Sequence, residues 1–193
     1  MAKRASTFGT MTLTLFLVSL IAAVALGFVY ELTKEPKAKA EQQKKNFAIM
    51  KVVPKFNNEP NAETYRIPVA DGSDSLTCYV AREDGKLVGT AVESYTMKGF
   101  SGLIRIMVGL SPDGTIYSTS VLEQKETPGL GTKMTQPFFK DQFDGKNPAT
   151  FKLSVKKDGG QVDAITASTI TSRAYCDAVK RAYDAYMKGG KHE

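Results

Sequence analysis

The sequence predicts an α+β domain, with a largely antiparallel sheet and flanking helices, preceded by one N-terminal transmembrane helix. Three observations predict it. Residues 8–30 carry no charge and are rich in Leu, Val, Ala, Ile and Phe. Apolar stretches then come in pairs around turn sequences, as hairpins do. The chain closes on an amphipathic pattern of helical period. Strands arranged as hairpins between helices belong to α+β architecture rather than to an alternating βαβ order.

The uncharged run at 8–30 is 23 residues long. At ~1.5 Å rise per residue, a helix of that length crosses a ~30 Å hydrocarbon core with some tilt. The apolar part of a cleaved signal peptide is shorter, ~7–15 residues, and ends at a small-x-small site. Here Ala23-Val24-Ala25 lies inside the run. An uncleaved signal anchor is therefore expected, with a cleaved signal as the rival reading. Lys3 and Arg4 favour a cytoplasmic N-terminus, whereas Lys34, Lys37, Lys39, Lys44 and Lys45 follow the span and favour the opposite. Long domains translocate largely regardless of such charges, so charge leaves the orientation open. The expected organisation is a short cytoplasmic N-terminus at 1–7, the span at 8–30, a solvated stalk or helix at 31–53, a domain at 54–190 and a mobile tail at 191–193.

Within the domain, 38–53 predicts a helix ending before Pro54, and 57–72 a polar loop. Residues 76–81 and 86–94 predict two strands around Arg82-Glu83-Asp84-Gly85. A second pair, 103–110 and 115–122, surrounds Ser111-Pro112-Asp113-Gly114. A short helix is expected within 134–142 and a further strand at 150–155.

From Ser172 onward, Ala174, Tyr175, Ala178, Val179, Ala182, Tyr183 and Tyr186 recur on one helical face, and Arg173, Asp177, Lys180, Arg181, Asp184 and Lys188 on the other. Gly189-Gly190 supplies a stop. Ahead of this helix runs Asp163-Ala164-Ile165-Thr166-Ala167-Ser168-Thr169-Ile170-Thr171-Ser172, with five hydroxyl side chains. A helix N-terminus offers unpaired N–H groups and the positive end of the helix dipole, which suits a phosphate. One or two hydroxyls are enough for an N-cap. Plain capping and phosphate binding therefore both stand on these residues alone.

Composition narrows the chemistry. The net charge of +6 is concentrated in the lysines of 34–51, with no basic stripe of interleaved aromatics elsewhere, so nucleic-acid binding is not expected. Cys78 and Cys176 form no CxxC pair, which argues against iron–sulfur and Cys-based zinc sites. They are either buried thiols or one disulfide. His192 is the sole histidine and lies in the tail, which leaves Ser-His-Asp and Cys-His chemistry without a base. Neither GxGxxG nor a Walker loop is present. Redox work would need a cofactor. Two glycine-bearing segments, Gly99-Phe100-Ser101-Gly102 and Glu126-Thr127-Pro128-Gly129-Leu130-Gly131-Thr132, are either ordinary turns or places where backbone approaches a ligand.

Together these blocks carry a resemblance. Asp163, Thr166-Ala167-Ser168-Thr169 and Thr171-Ser172 are similar to the flavinylation motif of FMN-binding domains. Glu126-Thr127-Pro128-Gly129-Leu130-Gly131 and Gly99-Phe100-Ser101-Gly102-Leu103-Ile104 resemble two further signatures of that family. The block order, single span and length resemble the G subunit of Rnf-type electron-transport complexes over nearly the whole chain. The resemblance implies FMN held covalently, through a phosphoester to Oγ of Thr169, and installed from FAD by a separate flavin transferase with a divalent metal. It implies Thr166, Ala167, Ser168, Thr171 and Ser172 around the link, and Phe100, Pro128 and Leu130 against the isoalloxazine ring. Glu126 and Thr127 would meet the ring's polar edge, with Ser101, Gly129 and Gly131 completing the loops. It further implies an extracytoplasmic domain at the inner membrane that relays electrons within an ion-translocating complex. Other membrane subunits would be its partners, and neither a catalytic residue nor a metal ligand is expected. The family's glycine is Ala167 here; if that position has positive φ, alanine adds ~1 kcal/mol or more of strain. Phe100 stands where the family usually has tyrosine. Two readings remain beside this one: a component like the C subunit of the sodium-translocating NADH:quinone reductase, usually a longer chain, and a flavin-free membrane-anchored assembly module whose hydroxyls only cap a helix.

Overall fold

The computed structural model describes residues 7–69 and 74–189. The expectations for Lys3, Arg4, Gly72, Gly190 and the 191–193 tail, His192 included, lie outside them. The chain divides into two compact units, one ending at Gln43 and one starting at Lys44. Most of helix α1 (Phe8–Val52) belongs to the first. Its apolar stretch is long enough to cross a membrane and is wholly exposed, as a membrane anchor requires.

The second unit is built on a five-stranded antiparallel meander: β1 (Thr64–Pro68), β2 (Ser75–Glu83), β3 (Lys86–Gly99), β4 (Gly102–Leu110) and β5 (Ile116–Gln124), paired in that order. Asp84 and Gly85 have φ of 51° and 80°, the type I′ turn that matches the twist of a two-residue hairpin. β1 corrects the loop expected over 57–72. It is a short edge strand in which Tyr65 and Ile67 point inward between exposed Thr64, Arg66 and Pro68, and polar neighbours mask its alternation. The strand expected at 150–155 is also corrected. Leu153 and Val155 are buried, but Val155 makes only an isolated bridge to Val162 before a 3₁₀ turn at Lys156–Asp158. Around 134–142 the chain forms 3₁₀ turns at Gly131–Thr135 and Asp141–Phe143, on either side of the single-turn helix α2 (Pro137–Lys140).

Strand alternation gives the sheet two covered faces. On one, Ile104, Ile106, Val108 and Leu110 of β4 meet Ala174, Tyr175, Ala178, Val179 and Ala182 of α3 (Thr169–Gly189). Small residues on α3 let it lie close, and polar pins fix its position. Ser94 Oγ donates to the Ala178 carbonyl at 2.7 Å, Thr96 Oγ1 to Asp177 at 2.8 Å, and Tyr175 OH to Thr119 at 2.8 Å. Phe139, Phe143 and Tyr175 close this core with ring centroids 5.1–5.7 Å apart. Cys78 and Cys176 are buried free thiols, each pushed up to about 12 by burial, which keeps them unreactive.

The other face is covered by the end of α1, whose Ala48, Ile49 and Val52 pack on Tyr79, Ala81, Ala91, Met107 and Leu122. A Cβ on Gly109 would lie 1.5 Å from the Val52 carbonyl oxygen, so only glycine admits the helix here. Lys44 donates to the Leu122 carbonyl, and Lys45 pairs with Glu93 at 3.0 Å. These lysines are anchors in the domain rather than solvated stalk charges. Glu93 also receives Arg105 and, at 3.2 Å, the Tyr79 hydroxyl. Burial alone would raise the Glu93 carboxyl. The hydrogen bonds and charges of Arg105 and Lys45 outweigh burial and hold it below its ordinary value.

Two outcomes follow from this packing. Gly109→Ala is expected to destabilise the protein by ~3 kcal/mol or more, read from chemical denaturation of the detergent-solubilised chain. Because the folded Glu93 carboxyl lies below its unfolded value, its contribution is full above pH ~4.5 and is lost as pH falls through the folded value. Thermal midpoints taken from pH 7 down to pH 3 should therefore drop on the acid side, and Glu93→Gln should start lower and fall less steeply.

Candidate functional site

The site is assembled at the start of α3. The helix begins at Thr169, three residues ahead of the Ser172 start expected from periodicity. Ser168 is the N-cap, since its carbonyl accepts the Ser172 amide at 3.0 Å. The apolar period first becomes visible at Ala174, which is why the earlier turn is hidden in the sequence. Ser172, fully buried, accepts the Ile165 amide and donates to the Ser168 carbonyl, both at 2.9 Å. That bracket closes the loop ahead of α3 on itself and holds Ala167 at φ 60°. The conditional strain at Ala167 is therefore present, ~1–2 kcal/mol for a residue with a Cβ.

The opposite wall comes from the loop after β5 and the β3–β4 turn. Glu126 is 4% exposed. Its Oε1 accepts the Ser101 amide at 2.9 Å and its Oε2 accepts the Thr171 hydroxyl at 2.5 Å. Gly131 leaves the room this requires, since a Cβ there would sit 2.7 Å from Glu126 Oε2 and 2.9 Å from Thr171 Oγ1. Gly129 turns the loop at φ 74°, and its amide donates to Thr132 Oγ1 at 3.0 Å.

Between the walls lies a pocket of about 400 Å³. Phe100, Glu126, Thr127, Leu130 and Gly131 line one side, and Ala167, Ser168, Thr169 and Thr171 the other. Ile170, which sequence reasoning passed over, lines it too and is half-exposed. Its signal was an apolar residue out of phase with the buried face of α3. Thr166, Ser101, Pro128, Gly129 and Ser172 do not line the pocket; Ser101 and Ser172 act from behind it through the hydrogen bonds above. Thr171 and Ser172 spend their hydroxyls inside the protein, which leaves Thr166, Ser168 and Thr169 from the original five.

The pocket's chemistry fits a phosphorylated ring compound. Thr169 is half-buried at the helix start, and the amides of Thr169, Ile170 and Thr171 have no carbonyl one turn back to bond. The helix dipole adds a positive potential at the same place. Phe100, Leu130 and Ile170 form a partly exposed apolar rim suited to a flat ring. Among the described residues, no group of three or more His, Cys, Asp or Glu side chains could hold a metal.

Comparison with known proteins agrees with this geometry. Residues 99–184 match the family of FMN-binding domains. The chain is 36% identical over 176 residues to the G subunit of the ion-translocating oxidoreductase complex of Erwinia tasmaniensis, covering 85% of this chain and 84% of that one. It belongs to the G-subunit family of these complexes. A second relative is the G subunit of the Na(+)-translocating ferredoxin:NAD(+) oxidoreductase complex of Acetobacterium woodii, 30% identical over 93% of this chain and 91% of that one. The fold is shared with the C subunit of the Na(+)-translocating NADH-quinone reductase of Parabacteroides distasonis, at a TM-score of 0.54 and 24% identity over 74% of this chain and 80% of that one. The α+β fold and the single apolar N-terminal helix thus stand as expected, and membership of the G-subunit family favours that reading over a C-subunit-like component.

Ala167→Gly should relieve the left-handed strain while adding flexibility to the unfolded chain, for a net gain of about 0.5–1 kcal/mol. A higher thermal midpoint of the flavin-free protein checks it; an unchanged or lower one would mean that the loop relaxes around alanine.

Proposed function

We propose that this chain is an electron-relay subunit of an ion-translocating membrane complex and carries FMN as a phosphoester on Thr169. The observation that carries the reading is the position of Thr169, the first residue of α3, half-buried in a pocket lined by both FMN-family loops. In this reading the amides of Thr169, Ile170 and Thr171 hold the phosphate oxygens. Phe100, Leu130 and Ile170 pack against the ring, and Thr127 meets its polar edge. Thr166, Ala167 and Ser168 shape the approach to the acceptor hydroxyl, while Ser101, Pro128, Gly129, Gly131 and Ser172 keep the walls in place. Bound FMN supplies the redox chemistry. The protein's own residues bind, orient and shield it.

Attachment is the work of a flavin transferase. The Thr169 Oγ–P bond forms, the pyrophosphate bond of FAD breaks, AMP leaves, and the hydroxyl proton passes to the transferase. The partners we assign are the other membrane subunits of an Rnf-type complex, as the names of the relatives suggest. The anchor at 8–30 holds the protein in the cytoplasmic membrane, with the flavin domain on the extracytoplasmic side. A covalent link suits that compartment, because a small cofactor lost from the site would diffuse away.

The test is the intact mass of the full-length protein coexpressed with a flavin transferase. A gain of one FMN less one water is expected in the wild type and not in Thr169→Val. Unmodified wild type would sink the covalent reading, and a modified Thr169→Val would move the link to another residue.

A further inference from the structure

We propose that Glu126 is the positioning residue of this pocket: its buried carboxylate clamps the Phe100 turn to the first turn of α3 and biases a bound flavin towards its oxidised form. The second half rests on the flavin reading above; the first does not.

Glu126 lines the pocket, and each of its oxygens already accepts a hydrogen bond from the protein. One comes from the Ser101 amide in the β3–β4 turn, the other from Thr171 in α3. The fold clears space for this carboxylate twice. A Cβ on Gly131 would lie 2.7 Å from Oε2, and one on Gly99 would lie 2.8 Å from Oε1. Burying a carboxylate is expensive unless donors meet it. An apolar side chain would fill the same space with no such demand. The carboxylate therefore has a use that packing alone does not supply.

Geometry shows the first use. The two donors lie 25 and 45 residues away along the chain, and each belongs to a segment that lines or borders the pocket. The clamp thus sets the distance between the Phe100 turn and the first turn of α3, where Thr169 lies. Electrostatics gives the second use. The two donors are a backbone amide and a hydroxyl, both uncharged, so the negative charge in the wall is not cancelled by an ion pair. Reduction adds electron density to a flavin. A fixed anion in the pocket wall opposes that change.

The experiment uses full-length protein in detergent, with Glu126→Gln, Thr171→Val and the double variant. In the flavin-free proteins each single variant should lower the thermal midpoint, and the double variant should fall no further than the worse single one. Losses that simply add would overturn the clamp. In the flavin-loaded proteins Glu126→Gln should raise the midpoint potential, whereas Thr171→Val, which keeps the charge, should not. Equal potentials in wild type and Glu126→Gln would overturn the electrostatic half. Should Glu126→Gln fail to fold, Glu126→Asp is read instead. It keeps the charge but retracts it from both donors, so a wild-type thermal midpoint overturns the clamp; the potential is then read from Glu126→Met, which removes the charge at similar volume, and a wild-type potential there overturns the electrostatic half. Wild type that takes up no flavin overturns the function proposed above and the electrostatic half with it, and the thermal cycle still decides the clamp.

Discussion

A carboxylate buried without a cation must be met by donors, and in this domain that requirement reaches across the whole site. Glu126 draws Ser101 from one hairpin and Thr171 from the C-terminal helix. It also favours glycine at position 131, where a Cβ would enter its space, while a Cβ at position 99 would meet both its carboxylate and the Gly102 carbonyl oxygen. The spacing of the pocket walls follows from satisfying one charge. Ser172 plays the matching part behind the loop ahead of α3, where it bridges Ile165 and Ser168. Neither residue needs to touch a ligand to decide what the pocket admits.

The sheet that carries these loops is covered on both sides, and the two cores are made differently. The α3 face is held by small side chains and by hydroxyls that bond across the interface. The face under the end of α1 depends on backbone meeting backbone at Gly109, with a charged cluster around Glu93 at its border. Hydroxyl pins tolerate small shifts of a helix, whereas a glycine contact does not. The α1 face is thus the less forgiving of the two.

Features that depend on neighbouring residues were legible in the sequence. Asp84-Gly85 and Pro112-Asp113-Gly114 are turn residues with local conformational reasons, and the hairpins they close appear where expected. Features that depend on distant partners were not. Leu153 and Val155 alternate and point into the core like a strand, yet only an isolated bridge, from Val155 to Val162, pairs them. β1 holds its place because β2 lies beside it, not because Thr64–Pro68 reads as a strand alone. The same division holds at the site. Thr169 stands out because its motif is contiguous. The hydrogen bonds that Glu126 accepts were hidden because the resemblance places its carboxylate at the ring's polar edge, while its donors come from segments 25 and 45 residues away. The strain at Ala167 could be stated beforehand only as a condition on φ, which the folded loop now meets.

The helix that begins as the apolar anchor ends as part of a core. Ala48, Ile49 and Val52 sit within the compact unit that starts at Lys44, while the membrane-crossing stretch lies well upstream. This constrains how the domain can ever be shed. A peptidase that trims between the anchor and Lys44 would release a body with both faces of its sheet still covered. One that cuts closer would strip away the cover over Met107 and Leu122 and release an unfolding fragment with its apolar sheet face bare. Soluble release is therefore confined to a short window of sequence, and losing the anchor and losing the fold are separated by only a few turns of one helix.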